Sequence, residues 1–142
     1  MGVDYWNTWR QANPEILPDL YHQHVSLEDP EPPYGLERKD MLSYLPRINF
    51  ANANLTAAYL YFSHLEEANF RGANLENAIL SECDLWRADF TGADLKGAIM
   101  DDSNLAGANL TDVTGLTDEQ LASADGDSET KLPAGMRHPT RW

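Results

Sequence analysis

The chain is short and acidic, with 142 residues, a formal net charge of −13 and a single cysteine. The length suits one domain, and one cysteine excludes an intrachain disulfide. The acidity argues against direct binding of nucleic acid, whose phosphates need a basic surface. The sequence starts without the basic and apolar regions of a signal peptide, and no apolar run approaches the length of a membrane span. We therefore expect a cytoplasmic protein without membrane association.

Residues 1–19 are predicted to form an N-terminal cap. Asp4 can cap a helical turn that carries Trp6 and Trp9 on one face. Asn13-Pro14 stops this turn, because the residue before a proline disfavours helical backbone. We expect the two indoles to cover the first coil of the repeat that follows.

Residues 20–47 have a weaker pattern, which we interpret as an irregular first coil with an insertion at residues 26–44. The segment from Glu28 to Gly35 is too rich in proline for a ladder strand, because proline has no N–H to donate. Residues 36–45 can form a brief helix that ends before Pro46. The alternative, a decayed repeat folded onto the end of the coil, stays open.

Residues 48–115 contain a five-residue repeat. Thirteen consecutive blocks, from Ile48 to Asp112, place a large apolar residue at every fifth position and a small residue two positions before nearly every such centre. The centres are Phe50, Leu55, Leu60, Leu65, Phe70, Leu75, Leu80, Leu85, Phe90, Leu95, Met100, Leu105 and Leu110. A helix repeats its faces every 3.6 residues and a strand every 2, so neither fits this period. A solenoid, in which each block forms one short side of a coil, does fit.

Three sets of residues recur at a spacing of twenty and predict the number of sides. The sets are the centres Phe50, Phe70 and Phe90, the small residues Ser63, Cys83 and Ser103, and the apolar residues Tyr59, Ile79 and Ile99. Four blocks of five residues therefore make one turn. We predict an all-β, four-sided solenoid of about three to four coils, with the three phenylalanines stacked in its structural core.

Several blocks resemble the A(D/N)LXX signature of the pentapeptide repeat family, namely Ala73-Asn74-Leu75, Ala88-Asp89-Phe90 and Ala93-Asp94-Leu95. The resemblance implies a right-handed quadrilateral β-helix. It also implies that Leu20 is the first centre, because family members often begin with a Trp-rich segment that leads to a Pro-Asp-Leu start, here Pro18-Asp19-Leu20.

Residues 116–126 are predicted to contain a short capping helix from about Asp118 to Ala124. Thr117 with Gln120 forms a capping box, and Leu116 with Leu121 has the spacing of a hydrophobic staple. Gly126 then ends the helix.

Residues 127–142 form a tail with two prolines and no period, so we expect it to run extended along the flank. There it would cover the outward stripe of Tyr59, Ile79 and Ile99 with its own apolar residues. Those residues are Leu132, Met136 and Trp142. A second protomer covering the stripe is the alternative, so the chain is expected to be a monomer or a weak homodimer.

Catalytic chemistry has little support in the sequence. His22 and His24 could form a metal pair, but two histidines without a third ligand at fixed spacing are weak evidence. His64 occupies an outward position suited to surface hydrogen bonding. Cys83 falls in an inward column, which favours a buried and inert thiol. We therefore predict no catalytic, cofactor or metal site.

Two adjacent sides of the coil carry most of the acidic residues of the repeat. One side is centred on Leu60, Leu80 and Met100, and the other on Leu65, Leu85 and Leu105. The acidic residues are Glu66, Glu67, Glu82, Asp84, Asp101 and Asp102, six carboxylates against Arg87 alone, which leaves a charge of −5. The same sides present Tyr61, Phe62 and Trp86. Aromatic residues among carboxylates on a rigid scaffold indicate a protein-binding face, although acidic residues that serve solubility remain the alternative.

The sequence thus predicts a non-enzymatic, acidic protein-interaction scaffold with an unknown protein partner. The family resemblance implies a second function, because some pentapeptide repeat proteins mimic duplex DNA, engage DNA gyrase and confer resistance to quinolones or toxins. Such members tend to be longer than the repeat found here.

Overall fold

The computed structural model describes residues 3–14 and 45–142. This part of the chain contains two helices, α1 (Val3–Ala12) and α2 (Asp118–Ser123), and a repetitive β structure between them. Neither helix in these two ranges is long and apolar enough to cross a membrane. The predicted insertion at residues 26–44 and the predicted first centre, Leu20, lie outside the described residues.

Parallel β-bridges join residues twenty positions apart throughout the repeat. On one side, for example, the N–H of Leu55 donates to the carbonyl of Asn74 at 2.7 Å, and the N–H of Asn74 donates to the carbonyl of Ala53 at 2.9 Å. Each coil therefore satisfies the backbone of the next with hydrogen bonds, as buried polar groups require. The twenty-residue spacing confirms four blocks per turn.

Each corner of the coil is a tight turn whose last residue has a left-handed backbone. Gly92 has a φ of 70° and Asn77 a φ of 57° there. Where Asn or Asp precedes the centre, it supports the turn, because its side chain accepts an N–H two residues further on. Asn74 Oδ1, for example, accepts the N–H of Glu76 at 3.0 Å. Short side chains of this kind stabilise turns in this way, which explains why Asn and Asp recur at that position.

The core is a continuous column of block centres and small residues, all nearly or fully buried. The phenylalanine column is confirmed: the rings of Phe70 and Phe90 stack with centroids 4.8 Å apart, and those of Phe50 and Phe70 are 5.6 Å apart. The Phe70 ring, which lies between the other two, therefore buries aromatic surface on both of its faces.

Helix α1 covers the N-terminal end of the described coils. Trp6 packs edge-on against Phe50, with centroids 5.8 Å apart, and its Nε1 donates to the carbonyl of Asn49 at 2.7 Å. The N–H of Asn49 donates to Asn7 Oδ1 at 2.8 Å. Arg10, buried in the last turn, donates to the carbonyl of Ala51 at 2.6 Å. The helix thus pairs backbone groups that an open coil would leave exposed.

Helix α2 covers the other end. The predicted capping box is present, because Thr117 Oγ1 accepts the N–H of Gln120 while Gln120 Oε1 accepts the N–H of Thr117. Gln120 Nε2 also donates to the carbonyls of Leu95 and Ala98, at 2.9 and 2.8 Å. Leu121 is buried against the last coil. The helix ends at Ser123, one residue earlier than predicted.

The predicted position of the tail is wrong. Asp125 and Lys131 bridge to the coil below, so the chain after α2 first continues the winding. The indole of Trp142 then donates to the carbonyl of Ala124 at 3.0 Å. Tyr59 and Ile99 remain 40% and 45% exposed. The tail packs on the open end because the core is uncovered there, whereas the outward stripe offers fewer apolar contacts. Cover by a second protomer stays a prediction.

Candidate functional site

The candidate site is the acidic face, which we define as two adjacent sides of the coil. The Tyr59 side has the centres Leu60, Leu80 and Met100, and the His64 side has the centres Leu45, Leu65, Leu85 and Leu105. The predicted interaction residues Tyr61, Phe62, Glu67, Glu82, Trp86, Asp101 and Asp102 are exposed on it, whereas Glu66 and Asp84 are half-buried. All of them lie one residue before or one or two residues after a buried centre, so a hydrogen-bonded backbone holds each of them in place.

Three aromatic rings form a cluster on the Tyr59 side. Tyr61 lies 6.1 Å from both Tyr59 and Phe62, measured between ring centroids. Tyr61 and Phe62 are 41% and 59% exposed. Sequence reasoning assigned Tyr59 to the apolar stripe and the other two to the binding face, and the structure brings all three together.

Tyr61 is held in position by a carboxylate of the next coil. Its hydroxyl donates to Glu82 Oε1 at 2.9 Å. This hydrogen bond, together with the charge of Glu82, raises the pKa of Tyr61 above its ordinary value. The hydrogen bond thus fixes the phenol ring on the face.

Phe62 occupies a corner position with a φ of 58°. Left-handed backbone is unfavourable for any residue with a Cβ, and a bulky residue there is an outlier. The other corners of this kind are filled largely by Gly, Asn and charged residues. Phe62 is thus both strained and exposed. Packing of the core does not require a large apolar residue at this corner.

Trp86 lies on the His64 side and is 38% exposed. The guanidinium carbon of Arg87 stands 4.5 Å from the centroid of its ring, within the range of a cation–π contact. This contact orients the indole on the surface.

A groove of about 560 Å³ runs along the His64 side. It is lined by Pro46, Arg47, Glu66, Glu67, Asp84, Trp86 and Asn104. Arg47 and Glu67 form an exposed ion pair at 3.3 Å across its edge. Carboxylates outnumber the arginine, so the groove attracts cations.

His64, Glu66 and Asp84 form a second cluster on the His64 side, with ligand-type atoms that all lie within 4.8 Å of one another. Glu66 and Asp84 also line the groove. His64 Nδ1 is 3.2 Å from Glu66 Oε1. Sequence reasoning treated these residues separately and predicted no metal site. A signal was available, because His64 and Asp84 are twenty residues apart and therefore stack, and Glu66 is on the same side.

Cys83 is buried, as predicted, and its Sγ donates to the carbonyl of Leu60 at 2.9 Å. Burial raises the pKa of the thiol to about 12. A neutral, buried thiol is a poor nucleophile.

Comparison with known proteins identifies the repeat. The family model of pentapeptide repeats matches eight copies across residues 48–87, 68–107 and 88–114. No curated protein sequence matches the chain.

A solved structure of a pentapeptide repeat protein shares the fold. HetL, from the cyanobacterium Nostoc sp. strain PCC 7120, is 23% identical with a TM-score of 0.60, and the alignment covers 84% of this chain and 49% of HetL. The chain thus spans about half the length of that protein. Rfr23 from the cyanobacterium Cyanothece 51142 is 27% identical with a TM-score of 0.42, and the alignment covers 89% of this chain and 99% of Rfr23.

A third relative is a pentapeptide repeat protein from the thylakoid lumen of Arabidopsis thaliana. It is 37% identical with a TM-score of 0.34, and the alignment covers 58% of this chain and 70% of that one. The chain therefore belongs to the pentapeptide repeat family, whose members fold as right-handed quadrilateral β-helices.

Proposed function

We propose that this chain is a non-enzymatic interaction scaffold whose acidic face binds a protein with a basic surface. The observation that carries the proposal is the exposed cluster of Tyr59, Tyr61 and Phe62 beside carboxylates on a rigid backbone. Aromatic residues are enriched at the centres of protein interfaces, where they contribute much of the binding energy.

Phe62 supports the proposal most directly. An exposed ring gains little from packing, and its left-handed φ costs stability relative to Gly or Asn at the same corner. Burial of the ring against a partner is the benefit that we propose offsets the strain.

The charges on the same side define the partner. Glu82 accepts the hydrogen bond of Tyr61, Asp101 and Asp102 lie on the next coil of the Tyr59 side, and all three are exposed. Carboxylates in this arrangement steer a basic partner towards the face and make association faster at low salt. A second copy of the chain would bring two acidic faces together, so we propose a monomer. Sedimentation at several concentrations tests for the weak homodimer that remains the alternative.

The test is capture of a partner from the source cell with the purified chain, followed by measurement of its affinity. We expect Phe62→Asn to weaken binding at least about tenfold, as loss of an aromatic anchor does. Asp101→Asn with Asp102→Asn should slow association and reduce its salt dependence. Glu76→Gln, on an adjacent side where Glu76 pairs with Lys96 at 2.8 Å, is the matched control and should leave affinity unchanged.

A partner that binds all of these variants equally would contradict the assignment of the face. The non-enzymatic assignment fails separately if substrate screening finds an activity that a single Asp, His or Cys substitution abolishes while the fold persists.

Mimicry of duplex DNA is a second proposal that the same carboxylates favour. It requires the chain to compete with DNA for a type II topoisomerase, with competition that weakens as salt rises. Unchanged supercoiling by the cognate gyrase at high excess of the protein would remove this proposal and leave the general scaffold intact.

A further inference from the structure

We propose that His64, Glu66 and Asp84 bind a divalent transition-metal ion, with Zn²⁺ as the best-matched ion, on the His64 side of the coil. The three residues offer one imidazole nitrogen and two carboxylates, with ligand-type atoms within 4.8 Å of one another. This site is separate from the aromatic cluster, so its test does not depend on the proposed function.

Glu66 provides an independent reason to expect a cation. Its Oε1 lies 3.2 Å from His64 Nδ1, but its Oε2 is buried and has no hydrogen-bond partner among the residues that the structure describes. A buried carboxylate oxygen without a partner is unfavourable. A bound cation would satisfy it.

Asp84 is already oriented as a ligand would be. Its Oδ1 accepts the N–H of Trp86 at 3.1 Å and the side-chain amide of Asn104 at 3.0 Å. Hydrogen bonds to a ligating carboxylate fix its direction and contribute strongly to metal affinity. The β-bridge between His64 and Asp84 fixes the separation of their backbones.

The donor set identifies the class of ion. Imidazole suits zinc and its neighbours in the first transition row, and carboxylates add charge without excluding them. Zinc binds nitrogen and oxygen donors at roughly 2.0–2.2 Å, so small side-chain rotations that bring the three groups round one point complete the site. Three protein ligands leave one tetrahedral position open to water. Cys83 does not contribute, because its thiol points into the core and donates to a backbone carbonyl.

The test is calorimetric titration of Zn²⁺ into the metal-free, full-length chain, prepared without a histidine tag. We expect one ion per chain. His64→Asn, Glu66→Gln and Asp84→Asn should each lower the affinity by about tenfold or more, since even residues that only support a ligand have effects of that size.

Asparagine is the appropriate replacement because the repeat itself uses it at this position, as in Asn104 on the same side. The variants therefore keep the turn, and circular dichroism checks that the fold is retained. His138→Asn is the matched control and should bind zinc as the unchanged chain does.

Three results would overturn the proposal. They are the absence of zinc binding to the unchanged chain, retention of full affinity in both His64→Asn and Asp84→Asn, and loss of binding in the double variant His22→Asn, His24→Asn. The last result would place the ion at His22 and His24 instead.

Discussion

The stacked phenylalanine column makes the sharpest prediction about stability. Phe70 is fully buried, and its ring lies between Phe90 at 4.8 Å and Phe50 at 5.6 Å. Replacing Phe70 by alanine removes the ring while hydrogen-bonded coils on both sides prevent collapse into the space. A buried Phe→Ala change costs about 3–5 kcal/mol, and the loss of two ring contacts favours the upper half of that range. We therefore expect a loss of about 4–5 kcal/mol.

Urea unfolding followed by far-UV circular dichroism measures this loss, provided that the slope of the transition is unchanged. Phe70→Leu is the matched control, because a leucine, Leu110, occupies the same column two coils further on. It should cost about 1–2 kcal/mol, since it retains most of the buried apolar surface. A loss under about 1 kcal/mol for alanine, or equal losses for alanine and leucine, would refute the packing argument.

Four further predictions concern other parts of the molecule. Phe62→Asn should raise the free energy of unfolding by about 1 kcal/mol, since the left-handed corner suits Asn better, and a decrease would remove the argument from strain. Leu121→Ala should speed hydrogen exchange mainly in the last coil, and unchanged protection there would contradict the role of α2 as a cap. Cys83 should resist thiol reagents at neutral pH until the chain unfolds, because burial raises its pKa to about 12. The hydrogen bond from Gly107 N–H lowers the pKa of Asp127 below 3.8, so its contribution to stability is present above that pH and lost as the pH falls through the folded value. Asp127→Asn should reduce the decrease in the free energy of unfolding at acid pH. An unchanged decrease would show that Asp127 does not cause it.

The five-residue period was sufficient to predict the coil, because the inward position is a local property that each block repeats. Phe50, Phe70 and Phe90 stack as predicted since residues twenty positions apart meet in successive coils. The capping box at Thr117 was equally predictable, because its two hydrogen bonds connect residues three positions apart.

The sequence predicted which outward residues share the candidate site, but it did not predict which of their side chains are in contact. Their side could be assigned from the period, which placed Tyr61 and Phe62 on the acidic face. The cluster that Tyr59 forms with them depends on side-chain directions at a corner, and no sequence pattern encodes those directions. The twenty-residue spacing stacks His64 on Asp84, but the approach of their side chains and that of Glu66 to within 4.8 Å depends on side-chain directions in two coils.

The sequence by itself determined the repeat, the number of sides, the core column and the C-terminal cap. Only the tertiary structure decided where the tail packs and what α1 pairs with. Trp142 reaches the carbonyl of Ala124, and Arg10 reaches that of Ala51, because the ends of the solenoid present unpaired backbone and uncovered core. Such end surfaces exist only once the coils have assembled, and an aperiodic segment has no internal pattern that would reveal its partner.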